Sequence, residues 1–504
     1  MLKNKKLLFF IILIIAIVLR FAYLDKGYNS DEGWLLKAAS LDLKKLIPFL
    51  GEGRSVYPPL SPFLFHLWLR FNQGEVWVRS YFVIFGIALC VLVYHIGKLF
   101  IDAQFGMLAF FISALSALLI WSSQFIRSYI DSAFWVILSF YFMLRMLKGD
   151  VHLKNSLAYI ISSVFAVYSS YLNILILASQ SIFIFMFFIK DIRFLKRWLI
   201  LQILISIIFI PCLLLLLKQA KLATAIDPQW SQRGFQIFGF NLGYYARSAA
   251  AIFGMDPDFL TARPLAKELN VTFLSVLAIL SFYIITWVFI KAIKNIKSVF
   301  KEKRLIWFFP TASLAGLVLY VVLVEIKNFP FQPEYFIPQH VLFIFVIASA
   351  IYEPARRYRL NPALFFFVAF IFITRFPRAI GPEFDTKMAY RHLLNNFEKD
   401  ECLLMVRNTS RYIDAKRFNT IIMYGYLKKN SDADYYQPLN DMAIMKLCDI
   451  KEKYKKIWFY RLYGNDEILG ANNQIIGWFK DNGYVVKDIQ RFKRIDLMRY
   501  ERIN

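Results

Sequence analysis

What most constrains this chain is a succession of apolar runs, most of them close to the length that crosses a bilayer. They fall at 7–24, 77–97, 106–121, 130–147, 156–172, 173–189, 198–217, 271–290, 305–324, 339–353 and 360–375. About 20 mostly apolar residues suffice to span hydrocarbon. Inside it every backbone amide must be satisfied within the segment, so such runs fold as helices. The first run, LLFFIILIIAIVLRFAYL, follows Lys3, Lys5 and Lys6 and has no small-residue cleavage site. It reads as a retained anchor rather than a removable leader. The chain is 58% hydrophobic and 19% charged, against roughly 25% charged in soluble domains. Disorder is excluded by the same hydrophobicity. The expected fold is a polytopic α-helical membrane protein of about eleven transmembrane helices.

A net charge of +25 raises the question of nucleic acid, and the distribution answers it. Residues 376–504 hold 23 basic and 17 acidic side chains, so most of the excess lies earlier. There it gathers in short patches between apolar runs: Arg145/Lys148/Lys154, Lys190/Arg193/Lys196/Arg197, Lys291 to Arg304, and Arg356/Arg357/Arg359. With the N-terminus in the cytoplasm and an odd number of spans, all four patches fall inside, as the positive-inside rule requires. The tail is then extracytoplasmic. This predicts a multi-span domain over 1–375, with outer loops at about 25–73 and 218–270, and an extracytoplasmic domain over 376–504. In the latter, ECLLMV, TIIMYGY, KIWFYRLY, YVVKDIQRF and IDLMRY read as strands, and 440–453 and 466–480 as helices. A small α/β domain is expected, in which Cys402 and Cys448 are available to pair.

Soluble nucleotide and metal motifs are missing: no P-loop, no GxGxxG, no HExxH and no CxxC pair. The five His form no metal-ligand cluster. Charge is costly within a membrane, so ionisable residues beside the outer face carry the information. Asn29-Ser30-Asp31-Glu32 follows the first span. Ser30 can cap a short helix with an apolar stripe of Trp34, Leu35, Ala38 and Leu41. The two carboxylates then either complement the helix dipole or face a lipid-borne substrate. Tyr57-Pro58-Pro59-Leu60 makes an extended turn into LSPFLFHLWLRF, which is too short to span and suits the interface. Ser123 to Asp131 joins the third and fourth spans. Its Arg127 sits on the side disfavoured for cations, either paired with Asp131 at i,i+4 on one helix or offered to an anion such as phosphate.

Taken together these features resemble the GT-C glycosyltransferases. The resemblance rests on the Asp31-Glu32 pair, the Pro58-Pro59-Leu60 turn and Arg79-Ser80 leading into FVIFGIALCVLVYHIGKLF. The small-residue span GMLAFFISALSALL and the Arg-x-Tyr of Arg127 and Tyr129 add to it. It is to the branch of protein O-mannosyltransferases, lipid A aminoarabinose transferase and rhizobial lipopolysaccharide galacturonosyltransferases. In detail it covers about residues 7–200. Two positions depart from the branch: Tyr57 stands where a Lys often precedes the Pro, and Glu334-Tyr335 with Pro338 stands where an Arg-Tyr precedes a Pro.

The resemblance implies inverting transfer of a sugar from a polyprenyl-phosphate donor to an extracytoplasmic glycan, lipid or protein. Asp31 matches the catalytic aspartate, with Glu32, Tyr57, Arg127 and Tyr129 as substrate-binding residues. A base near a helix start stays ionised and can take the acceptor proton, and a cation helps the leaving phosphate. Arg127 is the first such cation, with Arg54, Arg233 and Arg247 as lesser ones. No cofactor is fixed by the residues, although a divalent cation is compatible; the partners are the lipid-linked sugar, the acceptor and membrane lipid, and no nucleic acid. The competing class is a transporter or flippase, which places ionisable groups near the midplane. The apolar runs here hold no central carboxylate.

Overall fold

The structure, a computed structural model, describes residues 5–25, 30–52, 56–226, 307–327, 333–358, 386–396, 402–405, 435–436, 455–462, 466–492 and 495–503. The chain divides into two compact units. One comprises Met1–Ala22, Asp42–Asn72 and Trp77–Ile380; the other comprises Tyr23–Leu41, Gln73–Val76 and Gly381–Asn504.

The first unit is helical. Its described helices are α1 (Lys5–Phe21), α3 (Leu43–Leu50), α4 (Leu60–Leu69), α5 (Glu75–Phe100), α6 (Ala103–Leu115), α7 (Ala117–Ser123), α8 (Ile130–Leu147), α9 (Leu153–Ser169), α10 (Asn173–Phe188), α11 (Ile192–Ile226), α12 (Phe308–Lys327) and α13 (Ile337–Tyr358). The short α2 (Ser30–Ser40) belongs to the second unit. Among the described residues, Glu75–Phe100, Ile130–Leu147 and Ile192–Leu222 are long and apolar enough to cross a membrane, as is the pair α6–α7 counted as one span. The expected runs at 271–290 and 360–375 lie outside the described residues; the run at 106–121 is shared by α6 and α7, and the described part of each other run falls mainly on one helix. The expected interfacial segment is the ten-residue α4.

Leu7, Phe10, Ile14 and Val18 of α1, and Ile200, Ile203, Ile207 and Leu214 of α11, are exposed. Apolar patches of that extent are rare on soluble monomers and are ordinary where the solvent is hydrocarbon. The interior is knitted by small and polar residues, since lipid supplies no hydrophobic force between helices. A Cβ on Gly97 would stand 2.7 Å from the Gly106 Cα, so the α5–α6 hairpin closes backbone to backbone. Midway along the bundle, Gln202 of α11 donates to the Tyr159 hydroxyl of α9 at 3.0 Å. That hydroxyl donates to Gln180 of α10 at 2.7 Å, and Gln180 donates to Ser139 of α8 at 2.8 Å. Four helices are thus held in register by one chain of hydrogen bonds.

The third expected span, 106–121, is not straight. It breaks into α6 and α7, bent by 61°. Ser116 caps the second half through its hydroxyl, and the buried Arg20 of α1 donates to the Ser113 and Ala114 carbonyls at 3.0 Å each. Those carbonyls end α6 and have no helical partner, so the guanidinium takes the place of the missing turn.

The hairpin ends sort to opposite ends of this unit. At one end Lys148 donates to the Phe100 carbonyl at 3.2 Å, Tyr352 bonds Asp102, and Arg145 donates through Nε to Asp150 at 2.8 Å. Half-buried Asp150 is held below the usual carboxylate range by that guanidinium. At the other end α4 meets α5. Trp68 and Trp77 stack at 4.4 Å, and each indole donates to the other's carbonyl, at 2.9 and 3.1 Å.

The second unit contains a five-stranded sheet of β1 (Cys402–Met405), β2 (Tyr435–Tyr436), β3 (Lys456–Leu462), β4 (Tyr484–Phe492) and β5 (Ile495–Arg502), in the order β2-β1-β3-β5-β4. β1 runs parallel to β2 and β3, and β5 pairs antiparallel with β3 and β4. Two helices, α14 (Thr386–Asn396) and α15 (Asp466–Asp481), accompany it. Phe479 of α15 stacks on Tyr500 at 3.9 Å and meets Phe459 at 5.9 Å, whereas His392 of α14 meets Trp458 at 6.0 Å. Neighbouring residues of one strand point oppositely, so the two helices cover opposite faces. Burial pushes the Tyr500 phenol up to about 12. Four of the five expected strands and the helix at 466–480 are present. The strand at 420–426, the helix at 440–453 and Cys448 lie outside the described residues, as does the Cys402 side chain. Helix α14 and the two-residue β2 carry no expectation from the sequence.

Candidate active site

Helix α7 ends at Ser123 and α8 begins at Ile130; the six residues between form a tight turn. Its backbone is pinned by Arg127 N–H donating to the Phe125 carbonyl at 2.8 Å and Tyr129 N–H donating to the Arg127 carbonyl at 2.7 Å. Gln124 is wholly buried. Its amide nitrogen lies 3.3, 3.1 and 2.9 Å from the carbonyls of Leu19, Arg20 and Ala22, the end of α1. Its backbone carbonyl accepts from Arg79 Nε at 3.1 Å. The chain leaves α1 at once after this point, through Tyr23, whose φ of 58° is left-handed and ends the helix as such residues do.

Aromatic rings frame the turn. Trp121 and Phe125 stack at 4.6 Å, and Phe125 and Tyr129 lie parallel at 6.1 Å. Tyr129 in turn meets the edge of Tyr335, in the 3-10 helix Pro333–Phe336, at 6.2 Å. Arg127 is half-buried. Its guanidinium lies over the Tyr57 ring, 5.2 Å from the centroid, within the range of a cation–π contact. Tyr57, Arg127 and Tyr129 are therefore brought to one place, and Tyr335 joins them.

Arg127 and Asp131 are not a helical pair. Arg127 precedes α8, so the one-turn spacing expected on one helix does not exist. The wholly buried Asp131 carboxylate instead accepts a 2.5 Å hydrogen bond from Ser61 of α4. That bond ties the turn after Pro58-Pro59 to the start of α8. Sequence spacing offered no sign of this partner, which lies 70 residues away.

Tyr57 is held from the other side by α11. Gln219, also wholly buried, donates to the Leu50 carbonyl at 3.0 Å and the Tyr57 carbonyl at 2.9 Å. Its amide oxygen accepts from the Tyr171 hydroxyl at 3.0 Å. Sequence reading passed over it, although an amide just beyond CLLLLLK is the kind of polar residue a membrane run seldom carries without use.

Asp31 and Glu32 lie in the first turn of α2, in the second unit. Glu32 is buried with Trp34, Leu35, Leu36, Ala38 and Ala39, a wider apolar surface than the single stripe expected. The Asp31 side chain lies outside the described residues, as do Arg54, Arg233 and Arg247. Among the described residues no group of three His, Cys, Asp or Glu side chains stands close enough to hold a metal ion.

No protein-family model matches the sequence, and no curated protein matches it. Solved structures do. ArnT from Cupriavidus metallidurans in the apo state superposes with a TM-score of 0.56 at 10% identity, covering 98% of this chain and 97% of that one. The same protein bound to undecaprenyl phosphate gives 0.54 at 10% identity, with the same coverage. The apo oligosaccharyltransferase of Archaeoglobus fulgidus gives 0.51 at 13% identity over 90% of this chain and 69% of that one. The chain therefore shares the fold of these structures along nearly its whole length.

Proposed function

We propose, for a chain that shares its fold with ArnT along nearly its whole length, that this protein is a GT-C-type membrane glycosyltransferase that moves a sugar from a polyprenyl-phosphate donor to an extracytoplasmic acceptor, with inversion. The observation that carries this is Arg127: a guanidinium set over Tyr57 in a tight turn between two spans, at the end of the bundle away from Lys148 and Asp150. Undecaprenyl phosphate is the ligand in one of the ArnT structures.

In this reaction the bond between the anomeric carbon and the phosphate oxygen breaks as an acceptor hydroxyl oxygen bonds that carbon from the opposite face. Asp31 takes the hydroxyl proton. Proton transfer by a positioned carboxylate contributes roughly 10²–10⁴ in rate. The departing polyprenyl phosphate carries new negative charge, which Arg127 meets with a planar pair of donors suited to phosphate oxygens. Tyr57 holds that plane, and Tyr129 and Tyr335 wall the site. Glu32 neighbours Asp31 in sequence and points about a hundred degrees away on the helix, so its part is to hold the substrate rather than take the proton. The sugar reaches the site on its lipid, which is why the chain needs no nucleotide-binding fold.

The proposed orientation has the N-terminus in the cytoplasm and the domain over 376–504 outside, from the alternation of basic loops. A phosphatase fusion at Asn504 that is silent, while a fluorescent-protein fusion there is bright, would reverse it. The function is tested by mass spectrometry of surface glycans and lipid-linked sugars in a deletion strain. One sugar missing from a glycan, with its polyprenyl-phosphate form accumulating, is the expected result. Unchanged glycans and no accumulated donor would sink the proposal.

A further inference from the structure

Resting on the reading of Arg127 as the cation for donor phosphate, we propose that Gln219 is a positioning residue for donor binding: it fixes the Tyr57 segment, and through the Tyr57 ring it sets the plane of the Arg127 guanidinium. The segment that needs fixing is unusual. Pro58 and Pro59 have no N–H to give and the Pro59 carbonyl is taken by the Phe63 N–H at 3.0 Å, so a side chain holding this segment finds its handle in the Tyr57 carbonyl. Gln219 takes it at 2.9 Å and takes the Leu50 carbonyl at 3.0 Å with the same nitrogen. Carbonyls can only accept, so the amide nitrogen must face them and the oxygen must face Tyr171, which donates to it at 3.0 Å. Both donors and one acceptor site of the amide are thereby in use. The chain of contacts runs from Tyr171 through Gln219 to the Tyr57 backbone, and from the Tyr57 ring to Arg127 at 5.2 Å.

A residue that merely packs α11 against its neighbours would not care whether a lipid carries a phosphate. A positioning residue would. The test therefore measures binding of undecaprenyl phosphate, and of the uncharged alcohol undecaprenol, to the full-length protein purified in detergent. The parent is expected to prefer the phosphate. Gln219→Met removes both donors at nearly constant volume and should weaken undecaprenyl phosphate roughly tenfold, the scale of lost hydrogen bonds to a polar segment, while leaving undecaprenol within twofold. Tyr171→Phe should weaken the phosphate by only about two- to threefold, because the two carbonyls still orient the amide. In a Tyr57→Ala background Gln219→Met should add less than about twofold, since the ring it serves is gone.

Equal loss for phosphate and alcohol, or unchanged phosphate binding, would overturn the role of Gln219. So would a Gln219 effect that persists in full without the Tyr57 ring. Should Gln219→Met fail to accumulate, Gln219→Asn, one methylene shorter, gives the same readout, and unchanged phosphate preference there overturns the proposal equally. A parent that binds both lipids alike removes the function proposed above and this inference with it, an outcome distinct from a parent that discriminates and a Gln219→Met that still does.

Discussion

Replacing Arg127 by Lys keeps the charge and changes the geometry, which makes it the sharpest probe of the site. In the structure the guanidinium is half-buried, lies over the Tyr57 ring at 5.2 Å, and belongs to a turn whose backbone is fixed on both sides. Two donors in one plane can engage two phosphate oxygens; an ammonium offers a point charge. Losing one hydrogen bond to a charged group costs about 1.5–3 kcal/mol. Partial exposure puts this case toward the lower part of that range, near 2 kcal/mol. At about 1.4 kcal/mol per factor of ten, kcat/KM should fall roughly thirtyfold for Arg127→Lys, and by several hundredfold for Arg127→Ala. The assay is transfer from a polyprenyl-phosphate sugar by protein purified in detergent, alongside thermal unfolding, which should move little in the Lys variant. Asp131→Asn should not reproduce this pattern, because Asp131 is bonded to Ser61. Arg127→Lys turning over within about twofold of the parent would refute the phosphate role. Equal and mild losses for Arg127→Ala and Asp131→Ala would point back to a simple ion pair.

Two further outcomes are expected. Asp31→Asn should lower turnover by roughly 10²–10⁴ with folding intact, and Glu32→Gln should cost less; near-normal turnover of a purified Asp31→Asn protein would remove Asp31 from the mechanism. Gln180→Leu should leave the Tyr159 hydroxyl without its acceptor and cost about 1–3 kcal/mol of stability by the soluble scale, or nearer 0.6 kcal/mol by averages within membranes. Unfolding in mixed detergent separates these, and an unchanged midpoint would mean the chain of hydrogen bonds is dispensable.

The spans were legible because hydrocarbon leaves the backbone one option, and a run such as KKLLFFIILIIAIVLRF has only to be long enough. The strands of the C-terminal domain were legible from their alternation and their aromatic and β-branched content. What escaped the sequence depends on partners far along the chain. GMLAFFISALSALL reads as one span; its break at Ser116 is set by Arg20, which no local pattern connects to it. The site was half legible. Tyr57, Arg127 and Tyr129 were identified and come together, but Arg127 was offered Asp131 as a helical neighbour because i,i+4 spacing alone does not tell a helix from the turn that precedes it. Asp131, which holds Ser61 just after the Pro-Pro pair, and Gln219, which holds Tyr57 just before it, act from 70 and 162 residues away.

Arg20 imposes an order in time. Its carbonyl partners are 93 and 94 residues further along, and at roughly 5–20 residues per second of synthesis α1 exists for several seconds before they do. Through that interval the guanidinium has no reason to leave the headgroup layer, which its long stem can reach from the end of the helix. Only when α6 has been made can the cation turn inward. Helix α1 can meet α5 before then, through Phe9 and Tyr94, but the seat for its guanidinium is complete only once the ribosome has reached Leu115.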